Sequence, residues 1–200
     1  MALNFANNNS LSAITTQPSG LSGGAMTLLS TQTASASATI SFTSGIDDTY
    51  DEYVFKFYNI HPATDGEKFQ VNFRDGGSDY DASKTTTHFR SYHDESGGTG
   101  DLAYLTATDL ANSTGSQSIA QNIGNDNDQG ASGYLHLFNP SSTTFVKHFI
   151  SRVNCSGNVN YSQEIFAAGY CNTTTAIDGV QFSMTSGNID SGVIKLYGVS

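Results

Sequence analysis

Nucleophilic hydrolysis needs a Ser or Cys beside a base and an oxyanion hole, and its strongest local signature is the sharp G-x-S-x-G turn. Its letters occur at Gly20-Leu21-Ser22-Gly23-Gly24, but within a run of turn formers and not between a strand and a helix, and Gly130-Ala131-Ser132-Gly133 has the wrong spacing. Glycoside hydrolysis needs two carboxyl groups, one of them in an apolar pocket that raises its pKa. Only four Glu are present, Glu52, Glu67, Glu95 and Glu164, and most of the 14 Asp sit among turn formers. Solvated turn acids are the simpler account of them. Calcium chemistry is suggested by Asn125-Asp126-Asn127-Asp128-Gln129-Gly130, whose oxygen ligands alternate, but an EF-hand loop starting at Asp126 would need Glu where Leu137 stands. A lone calcium on Asp75/Asp79/Asp81 or Asp47/Asp48/Asp51 stays open against solvated turn acids.

The five histidines, His61, His88, His93, His136 and His148, form neither H-x-H nor H-E-x-x-H. His136 falls on one strand face with Tyr134 and Phe138, which is the setting of a hydrogen-bonded sheet residue. Cys155 and Cys171 are too few for a disulfide framework and lack a C-x-x-C partner for zinc. A hairpin of Thr144–Asn154 with Ser162–Tyr170 would put Cys155 near its turn and Cys171 at its far end, so free thiols are expected. No catalytic residue, metal or cofactor is assigned. Five N-x-S/T sequons, at Asn8, Asn112, Asn154, Asn160 and Asn172, are expected by chance in a chain this rich in those letters.

The elements that would position any site must be strands. Of 200 residues, 84 are Ser, Thr, Asn or Gly, and only 13% are charged. The Glu/Lys/Arg/Leu surface of good helices is missing, which argues against an all-α fold. With 22 Phe and Tyr and no Trp, the core must be built from Phe, Tyr and aliphatic residues. Period-two alternation begins at Met26: Ala38/Ile40/Phe42, Tyr53/Phe55/Phe57, and most cleanly Phe69/Val71/Phe73 with Lys68, Gln70, Asn72 and Arg74 on the wet face. Further strands are expected at Gly133–Asn139, Thr144–Asn154, Ser162–Tyr170, Asp178–Thr185 and Gly192–Val199, separated by turns such as Asn139-Pro140-Ser141-Ser142. The expected fold is all-β, an antiparallel β-sandwich of jelly-roll-like form over residues 26–200.

Residues 1–25 hold few large apolar side chains and read as an extended N-terminal arm that orders only against a partner. Its sizeable anchors are Phe5, Leu11, Ile14 and Leu21. Residues 94–130, rich in Gly, Asn, Asp and Ser, are expected to form a long exposed excursion, with Asp101–Ala111 a short helix or a packed loop. Recognition on a rigid β scaffold usually resides in such loops, and Tyr92, His93, Tyr104, Asp126 and Asp128 are its candidate contacts here.

A net charge of -10 and a pI near 4.6 oppose nucleic acid and anionic lipid. Met1–Ser10 shows no basic n-region, and no window approaches eighteen apolar residues, so neither a secretory leader nor membrane insertion is expected.

Four segments together resemble a family of about this length encoded by tailed phages of marine bacteria, cyanophages among them. They are Asn4–Ser12 (NFANNNSLS), Tyr53–Thr64 (YVFKFYNIHPAT), Gly133–His148 (GYLHLFNPSSTTFVKH) and Ser186–Val199 (SGNIDSGVIKLYGV). The family is usually called a virion structural or tail-fibre protein, and it carries no catalytic motif. The resemblance implies a non-enzymatic virion protein, assembled in the bacterial host cytoplasm. It would be a capsid decoration protein or knob held by the arm to other virion proteins, or else a tail-fibre or tip module that recognises host surface glycan. Either implies a homo-oligomer, with a trimer favoured by analogy with other knobs and fibres.

Overall fold

A computed structural model of the chain describes residues 25–200. The arm anchors Phe5, Leu11, Ile14 and Leu21 lie outside the described residues. Every regular element described is a strand: β1 (Met26–Ser37), β2 (Thr39–Phe42), β3 (Glu52–Pro62), β4 (Glu67–Arg74), β5 (Lys84–Asp94), β6 (Gly100–Tyr104), β7 (Gln117–Ile123), β8 (Ala131–Phe138), β9 (Lys147–Gly157), β10 (Tyr161–Cys171), β11 (Gly179–Met184) and β12 (Ile189–Val199). No described helix is long and apolar enough to cross a membrane.

All pairings are antiparallel. The path β1-β12-β3-β8-β9-β7-β4-β11-β2 almost closes on itself, because β1 runs into β2 through Ala38 alone. The sheet is thus nearly closed into a barrel. β9 is its branch point: one edge pairs β8, the other pairs β10, and its last residue Gly157 pairs Ile123 of β7. From β10 the sheet continues outward through β5 to β6.

The alternation read from the sequence is what closes the core. Phe69, Val71 and Phe73 of β4 are fully buried, as are Tyr53 and Phe55 of β3. Phe182 on β11 sits at the centre, its ring 5.4 Å from Phe55, 5.2 Å from Phe57, 5.6 Å from Phe69 and 6.3 Å from Phe42. Such edge-to-face and offset aromatic contacts add to the area term, which is how a core without Trp is filled.

Two local features bend the strands into this shape. The β3–β8 register shifts between Phe57 and Ile60, where Asn59 adopts a φ of 49°, a left-handed conformation that Asn tolerates better than most residues. Opposite it, Gly192 has a φ of 129°, and a Cβ there would lie 2.8 Å from the Asn59 carbonyl oxygen. Only glycine lets β12 approach so closely.

Within residues 94–130 the stretch up to Ser116 is exposed or half-buried, and the departure from the expected exposed excursion lies in β7. The segment holds β6 and β7, and in β7 Gln117, Ile119, Ala120 and Ile123 are buried. Asp101–Ala111 forms no helix; its first part is the end of β6 and its second a turn in which Thr108 N–H donates to Leu105 O at 3.1 Å. The hairpin around Ser156–Asn160 is present as β9 and β10, in register from Tyr161–Gly157 to Cys171–Lys147. Cys155 pairs Gln163, eight residues along β10 from Cys171, and both thiols are free and buried.

Candidate functional site

The ends of β5, β7, β9 and β10 meet around a cleft. Arg90 and Tyr92 are two apart on β5 and so share its inward face, while the β10 register sets Tyr161 opposite Asp94 and Gln163 opposite Tyr92. The Arg90 guanidinium lies 4.9 Å from the Tyr92 ring centroid, and the Tyr92 and Tyr161 rings meet edge to face at 5.7 Å. Asn122 from the end of β7 and Asn158 and Val159 from the β9–β10 turn complete a cavity of about 450 Å³ that opens to solvent.

The electrostatics of this cleft are mixed. Arg90 Nη1 donates to the side-chain oxygen of Gln163 at 3.1 Å, with the Gln163 amide nitrogen donating to Gln121 O at 2.9 Å; Arg90 Nε is buried and without a partner. The Asp94 carboxylate, on a half-buried residue, accepts from Ser96 Oγ at 2.8 Å and from the Gly98 N–H at 2.9 Å. Those donors hold its pKa below the usual value. Burial raises the Tyr161 phenol. Aromatic faces beside two amides, a cation and a carboxylate suit a polyhydroxylated ligand, whose C–H faces stack on rings and whose hydroxyls take both donors and acceptors.

A second depression, of about 420 Å³, lies beyond the β7–β8 turn and is lined by polar side chains including Asn59, His61, Asp128 and Gln129. His61 Nε2 is 3.2 Å from the Asp126 carbonyl oxygen, and its Nδ1 is 3.6 Å from the Asp190 carboxylate.

The outer face of the sheet carries a continuous row. Register pairs Lys195 of β12 with Lys56 of β3, then Tyr134 of β8, Arg152 of β9, Phe166 of β10, Phe89 of β5 and Tyr104 of β6. Phe89 and Phe166 stack with centroids 4.7 Å apart, and the Arg152 guanidinium sits 5.2 Å from the Phe166 centroid, also bound to Glu164 through its Nε. Lys56 and Lys195 lie over the Tyr197 and Tyr58 rings. Near this row Ile150 is 50% exposed and Leu102 71%. In a chain of charge -10, three of its eight Lys and Arg thus stand on one aromatic face.

The five candidate recognition residues are not one cluster. Tyr92 lines the cleft, Asp128 the second depression, and Asp126 contributes its backbone carbonyl to His61. His93 projects to the opposite face of β5 from Tyr92. Tyr104 belongs to the outer row, where its hydroxyl donates to Asp109 at 2.7 Å, an interaction that raises its pKa. Sequence reasoning missed Arg90, Tyr161 and the Phe89–Phe166 pair. The Arg90/Tyr92/Asp94 alternation was visible in the chain, but its meeting with Tyr161 needs the β5–β10 ladder.

His136 behaves as the sequence suggested: its ring packs 5.0 Å from Tyr134 and 6.1 Å from Phe138, and its Nδ1 contacts Glu52. Among the described residues, no group of three or more His, Cys, Asp and Glu is placed to hold a metal ion. Cys155 and Cys171 are pushed up to about 12 by burial, which keeps the thiolate out of reach. No family profile matches the sequence, and no curated protein matches it.

Proposed function

We propose that this chain is a non-enzymatic structural protein of a phage virion, displayed on the particle surface as a capsid decoration protein or knob and docked through residues 1–25. The observation that carries it is the outer row from Lys195 to Tyr104: a half-exposed band of aromatics and cations crossing seven strands, suited to burial against another protein. Its rings and guanidinium are the residue types enriched where interfaces are tight. The resemblance of four segments to marine phage proteins supplies the virion context. β7 joins β9 through a single residue pair, which supports a two-layer, jelly-roll-like sandwich of β2, β4, β7 and β11 against the rest. Assembly into a homo-oligomer, a trimer by preference, would repeat the outer band around an axis.

The cleft favours a second function, a tail-fibre or tip module that binds host glycan, because Tyr92, Tyr161 and the two Asn amides are the contacts a sugar ring uses. One experiment separates the two. The full chain and a version lacking residues 1–25 are sedimented with capsids stripped of this protein and with host cells. Capsid binding that is lost on deletion supports decoration; cell binding that survives deletion and is abolished by Tyr92→Ala supports the adhesin.

A further inference from the structure

Lys84 is a cation placed where a cation is costly. It is fully buried, and among the described residues no carboxylate lies within ion-pair distance of its Nζ. The amine donates to Ala82 O at 2.9 Å and contacts the carboxamide oxygen of Asn72 on β4. Desolvation lowers its pKa to about 8, with Cys171, Asp81 and Asp75 only partly opposing this, so the neutral amine is accessible near physiological pH. Cys171 is its cross-strand neighbour, and Lys147, also fully buried, flanks Cys171 on the other side.

The Asn72 carboxamide is fixed from both ends. Its oxygen accepts the Phe73 N–H at 3.1 Å, and its nitrogen donates to Thr114 O at 3.2 Å. The Thr114 segment is itself clamped to β5, since Lys84 and Ser113 exchange backbone hydrogen bonds of 2.8 and 2.9 Å. A buried amine is therefore held against an immobilised carboxamide whose oxygen already faces a backbone donor. This combines positioning with a one-donor oxyanion site.

We propose that Lys84 and Asn72 join in an intramolecular isopeptide bond. The Nζ lone pair attacks Asn72 Cγ, and the Phe73 N–H meets the charge that develops on the carboxamide oxygen. The Cγ–Nδ2 bond then breaks, a proton passes from Nζ to Nδ2, and ammonia leaves. Amine and primary amide become secondary amide and ammonia, so no oxidant, reductant or co-reactant is needed. A buried ammonium is replaced by a neutral amide, which removes its desolvation penalty. The bond would tie β4 covalently to β5 and close the chain between them.

Mass spectrometry on the reduced, denatured full chain tests this without requiring any variant to fold. Trypsin cuts after Lys68, Arg74, Lys84 and Arg90, but an acylated Lys84 resists. The expected result is an intact mass lower than the sequence mass by one ammonia, with residues 69–74 recovered as a branched peptide linked to an uncut 75–90. Asn72→Ala and Lys84→Met should each return the mass to the sequence value. An unmodified intact mass together with free linear peptides 75–84 and 85–90 would overturn the proposal.

Discussion

Phe89 and Phe166 lie face to face on the outer surface, their planes within 7° of parallel, although Phe89 is 39% exposed to solvent. An exposed stack contributes only about 0.5–1.5 kcal/mol to a fold. Its value to the molecule therefore lies more in what it can meet than in what it holds together. Phe89→Ser is expected to lower stability by about 1 kcal/mol in urea unfolding while weakening particle binding or self-association at least tenfold. Unchanged association would remove the outer row from the interface.

Phe182 occupies the opposite extreme, in contact with four other Phe rings and fully buried. Phe182→Ala is expected to cost about 3–5 kcal/mol, a large share of the ~5–15 kcal/mol that holds a domain together. Thermal unfolding monitored by circular dichroism should show a transition lowered by many degrees. A shift of only one or two degrees would mean that this ring is not the centre of the core.

The alternation that places Phe182 and its partners was legible because β4, β9 and β11 each send every second residue inward. β7 was not. Its residues are almost all buried, yet Gln117, Ser118 and Gln121 are polar, so the strand shows neither alternation nor an apolar run. Those polar groups are satisfied tertiarily: Gln117 accepts from Thr86 Oγ1 at 2.5 Å and donates to Thr108 O at 3.1 Å. A polar, Gly-flanked strand reads as loop until its partners are known. The cleft had the same obstacle, since Arg90 and Tyr161 meet only through strand pairing. The β9–β10 hairpin, by contrast, was legible from its turn residues, although its strands run further into the turn than expected and pair Ser162 with Ser156.

His88 gives the fold a pH dependence. It is fully buried on β5, with Nδ1 2.6 Å from Thr108 Oγ1 and Nε2 without a partner, and burial lowers its pKa to about 4 against a weak opposing pull from Asp109; Lys68 acts in the same direction as burial. Between the ordinary value of 6.5 and about 4 the unfolded chain binds the proton and the folded one does not. Stability is thus fully present above pH 6.5 and falls on acidification, by on the order of 3 kcal/mol once pH 4 is reached. In His88→Gln, urea midpoints measured across this window should lose most of that slope. A slope equal to the parent's would assign it to other groups.

The two thiols should be silent in the native state. With Cys155 and Cys171 buried and both pushed up to about 12, a thiol-specific reagent at pH 8 should label neither in the folded chain and both in denaturant. Rapid native labelling of either would show that the β9–β10 core opens readily.

Tyr92 tests the cleft. On an array of bacterial surface polysaccharides, Tyr92→Ala should lose any binding the parent shows, whereas His93→Ala, on the far side of β5, should retain it. Equal loss in both would move the ligand away from the cleft.

The most direct test of the central proposal is the protein inventory of density-gradient-purified particles of the phage proposed to encode this chain, by quantitative mass spectrometry with particles counted in parallel. A virion protein displayed in repeated copies predicts its peptides in the particle band, in constant multi-copy ratio to the major capsid protein through successive gradients. Peptides found in the infected lysate but absent from the purified band would contradict it.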